Sequence, residues 1–490
     1  MSEAKKAFYG SLTLTFSRLS ERLLGLISTF ITARLLMPED FGIVAIAMIV
    51  IAFFTVLGLT GSTQYIVQKD TVSESDVNTA WTIDVVVKST IFFVLLAVAP
   101  LVSDYYDDER LTDVIYALSV MSLLSGFTNP ALMLKQREQS YKVILILDVV
   151  KKLFAIATVI TIAYLYRNYW AMVCGHIMSN LIGLIGSYVV VKYKPKFCLE
   201  GVKQQWLFTR WMMAKGFLGY FRAQVDTILV SNFFGTSQVG AYHVTKYIAT
   251  MPGSQIVEPA TTPLLASFSR TKNKPDDFDH QIKLTFLVLQ LIALPMSAFL
   301  FTFSLPFVSI LLGQNWVAYH HIFGILALLT VSLSIGSVTS QIIVAKGRVK
   351  SLFYYDIVSF IAMVTILFSL KSVEISTFAM SRVAIDWVMI LLLFVFSLSK
   401  FTRINITKTL VAFLISGSVA YGLTVIAELI FLAELGQLLA LAISGLFFTI
   451  MWILYCWLAY KLYFSKLHEG AHLYYLISKI VMSVKSKLIS

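Results

Sequence analysis

The stretch Gly10–Ile66 reads GSLTLTFSRLSERLLGLISTFITARLLMPEDFGIVAIAMIVIAFFTVLGLTGSTQYI, two apolar helices joined by the turn Ala33-Arg-Leu-Leu-Met-Pro-Glu-Asp-Phe-Gly42. Its first helix carries Arg18, Glu21 and Arg22 inside an otherwise apolar run. A charge at bilayer depth costs roughly 2.5–3.5 kcal/mol on insertion scales, so such residues face a protein interior or a water-filled cavity. Ser11, Thr15, Arg18, Arg22, Gly25, Thr29 and Thr32 recur at steps of three and four and share one helical stripe. Leu12, Leu19, Leu23, Leu26, Ile27 and Phe30 fill much of the remaining surface. A helix that is apolar toward lipid and polar along one stripe lines something wet.

The rest of the chain repeats this character. Of its 490 residues, 58% are hydrophobic and 13% charged, and the mean hydropathy is +0.79, far above a soluble domain. A spanning helix needs about 20 apolar residues. Runs of that kind fall near 12–36, 41–67, 79–102, 112–134, 143–165, 169–191 and 212–234. Seven more fall near 239–266, 284–305, 319–344, 352–370, 375–398, 408–432 and 437–463, about fourteen spans in all. The longest polar connections, near 193–206 and 267–283, are too short to fold alone. The start of the chain lacks the compact apolar core and cleavage site of a secretory signal and is expected to be retained. Cys174, Cys198 and Cys456 have neither disulfide-framework nor zinc spacing.

Basic residues set the orientation. Alternate loops carry Lys135, Arg137, Lys142, Lys192, Lys194, Lys196, Lys346, Arg348 and many others, whereas the opposite loops carry only Arg34, Arg110, Arg167 and Lys371. By the positive-inside rule both ends are cytoplasmic. The net charge of +12 is therefore mostly topology, and scattered single charges argue against nucleic acid as a partner. The acidic outward loop Ser103–Asp113 reads as solvated, with Tyr105 and Tyr106 in the interfacial aromatic belt.

The turn Leu35-Leu-Met-Pro-Glu-Asp-Phe-Gly42 is echoed by Phe233-Phe-Gly-Thr-Ser-Gln-Val-Gly-Ala-Tyr242, each followed by an apolar helix and with Gly42 matching Gly240. An even number of helices separates the copies, so they share one orientation, and two lobes related by an axis along the membrane normal are expected around a central site. Further charges sit inside the spans: Asp84 and Lys88, then Lys215, Arg222 and Asp226 on one face, His243 and Lys246, and Arg382 with Asp386. Opposite charges four apart can pair on a helix, and each such pair also reads as a clamp between packed helices. Taken together, Arg18, Arg22, Lys88, Lys215, Arg222, Lys246 and Arg382 outnumber Glu21, Asp84, Asp226 and Asp386. Fixed positive charge in a low-dielectric cavity points to an anionic, phosphate-like ligand. The four carboxylates are the candidates for coupling to H+ or Na+; no other cofactor is expected, and no metal site.

Other features read as architecture. Gly175, Ser179, Gly183 and Ser187 form a small-residue ridge for close helix packing, with His176 beside it. Pro252, Pro259, Pro263, Pro295 and Pro306 predict bends. The tail from Leu473 to Leu488 has an apolar stripe opposite Lys479, Lys485 and Lys487, the pattern of an interfacial amphipathic helix. No phosphate-binding loop, His-Glu-x-x-His or Gly-x-Ser-x-Gly occurs, so an enzyme is not expected.

Three segments carry a family resemblance: Ala33-Arg-Leu-Leu-Met-Pro-Glu-Asp-Phe-Gly-Ile-Val-Ala45, Leu132-Met-Leu-Lys-Gln-Arg-Glu-Gln-Ser-Tyr-Lys142 and Pro306-Phe-Val-Ser-Ile-Leu-Leu-Gly-Gln-Asn-Trp316. In order and over essentially the whole chain, they resemble the Wzx-type polysaccharide flippases of the multidrug/oligosaccharidyl-lipid/polysaccharide superfamily. The resemblance implies an all-α, MATE-like membrane protein: a V-shaped bundle of two six-helix lobes, 1–206 and 207–400, two additional helices over 401–465, and the cytoplasmic tail 466–490. It implies movement of undecaprenyl-pyrophosphate-linked oligosaccharide across the bacterial cytoplasmic membrane by alternating access, for exopolysaccharide, capsule or O-antigen. Membrane lipids, a polysaccharide polymerase and export machinery are the implied partners. No residue role is carried over from the family. Two other readings stay open: a cation-coupled multidrug exporter of the same superfamily, whose cavity should be acidic, and a non-transporting scaffold of a polysaccharide assembly complex.

Overall fold

Inside hydrocarbon every backbone N–H and C=O must be satisfied within the chain, and a continuous helix does this segment by segment. The computed structural model describes residues 23–138, 140–257, 264–431 and 437–462, and among these residues the chain is helical, without a strand. The helices of the first half are α1 (Leu23–Leu35), α2 (Pro38–Leu57), α3 (Ser62–Gln68), α4 (Glu74–Tyr106), α5 (Arg110–Gly126), α6 (Ala131–Arg137), α7 (Tyr141–Tyr166) and α8 (Trp170–Val190). Then follow α9 (Val202–Phe233), α10 (Thr236–Pro252), a π-turn (Gly253–Val257), α11 (Leu264–Thr271), α12 (Pro275–Thr302) and α13 (Ser304–Leu311). A 3₁₀ turn (Gln314–Tyr319) leads into α14 (His320–Ala327), α15 (Leu329–Ala345), α16 (Val349–Ser369), α17 (Ile375–Phe401), α18 (Ile406–Phe431) and α19 (Gln437–Leu462).

Nine described segments are long and apolar enough to cross a membrane, and the bent pair α5–α6 makes ten. The remaining predicted spans correspond to α1, of which only Leu23–Leu35 is described, to α7 and α9, which carry charges along their length, and to α10, which is 17 residues long. The protein is a multi-pass membrane protein.

The breaks have local causes. The span expected at 112–134 is two helices bent by 64°. Pro130 has no N–H to offer the helix, and Asn129 takes over the backbone groups around it. Its Oδ1 accepts from the Ala131 N–H at 3.0 Å, its Nδ2 donates to the Val191 carbonyl at 2.7 Å, and its own N–H donates to Ser187 Oγ at 3.0 Å. Ser187, placed by sequence on a packing ridge, thus anchors a loop as well. Pro252 ends α10 and the π-turn follows, whereas α12 runs unbroken through Pro295. Pro306 lies in the first turn of α13, where a missing N–H costs nothing. Pro259 and Pro263 lie outside the described residues, as does the tail 466–490.

Packing divides the chain into two compact units. One contains the described residues up to Val244 together with Leu312–Asn315; the other contains Thr245–Leu311 and the residues from Trp316 onward. The change of unit falls inside α10, and α9 lies along α2. Tyr220 Oη donates to the Ile49 carbonyl at 2.7 Å, and Phe53 packs against the rings of Phe217, Tyr220 and Phe221. In the same unit α7 packs on α8, with Val159 at Gly175 and Lys151 at Gly183. The second unit is built on an aromatic core of Phe268, Phe278, Phe286 and Phe394. Its α18 and α19 pack on α12, where Trp452 Nε1 donates to the Leu291 carbonyl at 3.1 Å and Phe299 stacks on Phe448 at 5.5 Å.

Candidate functional site

The two copies of the repeated turn meet in space, within the first unit. A Cβ added at Gly42 would lie 1.9 Å from the Thr236 carbonyl oxygen, and one added at Gly240 would lie 1.9 Å from the Pro38 carbonyl oxygen. Real Cβ atoms do not approach that closely, so both positions require glycine for this contact. The internal echo in the sequence is therefore a reciprocal contact between the first turns of α2 and α10.

Its surroundings are polar and interlocked. Tyr105 Oη donates to Asn232 Oδ1 at 2.7 Å and Tyr106 Oη lies 2.8 Å from Ser231 Oγ, joining the ends of α4 and α9. Arg110 bridges Glu39 at 2.7 Å and Asp108 at 2.8 Å, and its hydrogen bonds hold the Asp108 carboxyl below the usual carboxylate range. The acidic loop is thus braced to α2 and not simply solvated. Gly313, with φ +97°, sets its backbone beside Arg34, so Leu312–Asn315 meets the Ala33–Ala45 segment within the first unit. The Leu132–Lys142 segment works elsewhere. Arg137 donates to the carbonyls of Ile66 (2.8 Å), Val67 (3.2 Å), Asp70 (2.8 Å) and Lys69, closing the end of α3.

Three carboxylates inside the helices are held by specific partners. Asp84 Oδ1 accepts from Thr60 Oγ1 and, at 2.7 Å, from Ser62 Oγ, both at the break between α2 and α3; Lys88 Nζ stands 3.6 Å from its other oxygen. Asp226, 1% exposed, accepts from Tyr242 Oη at 3.0 Å and from the Thr227 N–H at 2.9 Å. In the second unit Asp386 accepts from Ser332 Oγ at 2.6 Å and pairs with Arg382 at 3.2 Å. The pairings expected at four-residue spacing are present for Asp84–Lys88 and Arg382–Asp386. Removing one member of such a pair strands a charge, at about 3–5 kcal/mol. We therefore expect Asp84→Leu to lower the melting temperature in detergent far more than Asp84→Leu with Lys88→Met. Equal losses would show that the Thr60 and Ser62 contacts dominate.

The other expected site residues are less closely gathered. Arg222 and His243 are exposed and Lys246 is half-buried. Lys215 lies on α9, but its side chain is outside the described residues, as are Arg18, Glu21 and Arg22 entirely. Sequence reasoning passed over Asp148, Lys151 and Lys152 in α7 and Asp356 in α16. Their signal was available: charges about two or three turns into otherwise apolar helices. Lys151 lies 3.5 Å from Asp148 and runs along the bare backbone at Gly183. In the first unit, mid-helix cations (Lys88, Lys151, Lys152, Arg210, Lys215, Arg222) outnumber carboxylates (Asp84, Asp148, Asp226) two to one, while in the second Lys246, Lys283 and Arg382 stand against Asp356 and Asp386.

Residues 31–321, more than half of the chain, match the family described as polysaccharide biosynthesis protein. The chain belongs to that family. The resemblance carried by the three turn segments is thereby confirmed. Among members of this group, lipopolysaccharide biosynthesis protein WzxC of Escherichia coli (strain K12) is 20% identical over 338 residues, 68% of this chain and 69% of that protein. Succinoglycan biosynthesis transport protein ExoT of Rhizobium meliloti (strain 1021) is 23% identical over 338 residues, 68% of each chain. The lipid II flippase MurJ, in an inward closed conformation, shares the fold with a TM-score of 0.69 over 93% of this chain and 99% of its own, at 13% identity. Among the described residues of this chain, the Asp84, Asp226 and Asp386 centres place polar and charged groups inside apolar helices.

Proposed function

We propose that this member of the polysaccharide biosynthesis family is a flippase for a lipid-linked oligosaccharide in the bacterial cytoplasmic membrane. The observation that carries the reading is the surplus of basic side chains over carboxylates along the helices of the first unit, in a family of polysaccharide biosynthesis. Positive charge at bilayer depth costs several kcal/mol and is retained where an anion uses it; a polyprenyl pyrophosphate supplies two phosphate groups for Lys and Arg to hold. ExoT and MurJ, named as a transport protein and a flippase, support the same reading. Lys151, Lys152 and Arg222, with Arg18 and Arg22, are the cations we assign to the pyrophosphate. Asp84, Asp226 and Asp386 are the carboxylates assigned to an H+ or Na+ that drives the movement. The lysine-rich side faces the cytoplasm.

Deletion of the gene should abolish surface polysaccharide and cause the lipid-linked oligosaccharide to accumulate on the cytoplasmic leaflet. Arg222→Gln should reproduce this in part, with surface polymer falling about tenfold for the loss of one charge-assisted contact worth about 1.5–3 kcal/mol. Unchanged pools after deletion in a strain without a second flippase would sink the assignment.

A further inference from the structure

The segment 191–200 between α8 and α9 has no helical or strand hydrogen bonding of its own, yet it is firmly held. Tyr193 Oη and the Lys196 N–H both donate to Asn78 Oδ1, at 2.9 and 3.1 Å, and the Cys198 N–H donates to Thr82 Oγ1 at 3.0 Å. Thr79 Oγ1 donates to the Glu200 carbonyl at 2.8 Å, and Phe197 packs on Trp81 at 5.0 Å. A strap is thus buckled along the first turns of α4, whose Asn78, Thr79 and Thr82 are buried beneath it.

The depth of the strap follows from helix length. At about 1.5 Å per residue, α8 spans about 31 Å, the thickness of the hydrocarbon core. Its ends are marked by Tyr169 and Trp170 on one side and Tyr188 and Lys192 on the other. The residues after Val190 therefore lie at headgroup level on the lysine-rich side. There the strap displays two chemistries together. Lys192, Lys194 and Lys196 are all exposed, with Lys203 in the first turn of α9 and a single exposed acid, Glu200, among them. Phe197 (69% exposed) and Leu199 (68%) project beside them. Soluble surfaces do not hold large apolar side chains out in this way, whereas an interface with acyl chains below and phosphates around accepts both.

We infer that the strap 191–200, with Lys203, is a docking surface for anionic phospholipid headgroups, phosphates on the lysines and acyl chains under Phe197 and Leu199. Because the strap is pinned to α4 and runs directly into α9, bound lipid holds the start of α9 at a fixed depth. Nothing in this depends on which cargo the protein moves.

The test uses the full-length protein in detergent, titrated with phosphatidylglycerol, phosphatidylcholine or inorganic pyrophosphate while thermal unfolding is followed. Phosphatidylglycerol should stabilise at concentrations at least tenfold below those of phosphatidylcholine, and 0.5 M salt should erode the difference, since each lysine near an anionic surface contributes about fivefold. The variant carrying Lys192→Gln, Lys194→Gln, Lys196→Gln and Lys203→Gln should lose that preference. An unchanged preference in the variant overturns the proposal. Stabilisation by pyrophosphate matching that by phosphatidylglycerol overturns it too, in favour of a soluble-anion site. A nitroxide at Leu199→Cys, with the three native cysteines replaced by serine, gives an independent reading in nanodiscs. Relaxation by oxygen exceeding that by a water-soluble nickel chelate supports the inference, and the reverse order overturns it.

Discussion

Gly42→Ala is expected to cut surface polysaccharide to about a tenth or less while leaving the protein inserted at normal levels. The added methyl carbon would lie 1.9 Å from the Thr236 carbonyl oxygen, and the obstacle is backbone, which has no rotamer by which to withdraw. Overpacking of this kind costs about 1–3 kcal/mol, and 1.4 kcal/mol is a tenfold change in an equilibrium. The arrangement in which α2 and α10 touch would become a minor one. Gly240→Ala should do the same, since its methyl carbon would meet the Pro38 carbonyl oxygen at 1.9 Å. The double variant should be little worse than either single one, because both substitutions relieve one shared contact by separating the same two helices. Surface polymer measured against protein in the membrane fraction decides the matter. Normal export by an inserted Gly42→Leu protein would show that transport never uses this contact.

The second large effect is expected at Arg382 and Asp386. Both side chains are close to fully buried in the second unit, and Ser332 supplies a further hydrogen bond to the carboxylate. Asp386→Ala leaves the guanidinium without its carboxylate in an apolar setting, and a loss of about 3–5 kcal/mol follows. Arg382→Met with Asp386→Leu removes both charges at similar volume and should recover most of the melting temperature. The double variant also separates two roles. If the pair is only a clamp between α17 and α15, transport returns with stability; if Asp386 carries the coupling ion, stability returns and transport does not. A double variant as unstable as Asp386→Ala would contradict the electrostatic account.

Much of the fold was legible along the chain because hydrocarbon imposes a one-dimensional constraint. Each run of about 20 apolar residues must be helical and must cross, so positions such as 375–398 or 437–463 needed no partner to be recognised. The exceptions are instructive. The run at 112–134 is mostly apolar and yet bends at Pro130, where Asn129 finds Ser187 on α8 and Val191 just beyond its end. The charges of α9 and α10 were singled out along the chain and those of α7 were passed over, and in none of the three did the sequence say what the charges meet.

The candidate site divides in the same way. The pairs Asp84–Lys88 and Arg382–Asp386 were readable because four-residue spacing on a helix places two side chains side by side. Thr60 and Ser62, the hydroxyls that complete the Asp84 centre, were not, since they come from the break between α2 and α3, 24 and 22 residues away. Tyr242, which caps the buried Asp226, looked like one more apolar residue of the repeat turn.

The amino-acid sequence by itself determined the class and the family, because hydropathy acts residue by residue against a planar solvent. It also held the echo of Gly42 in Gly240. Only the tertiary structure decided that those two glycines press on each other's turns, that the 191–200 strap is buckled onto α4, and that the boundary between units falls inside α10. Each of these is a contact between segments far apart in the chain, set by which backbones can approach within a few ångströms, and no local pattern encodes that.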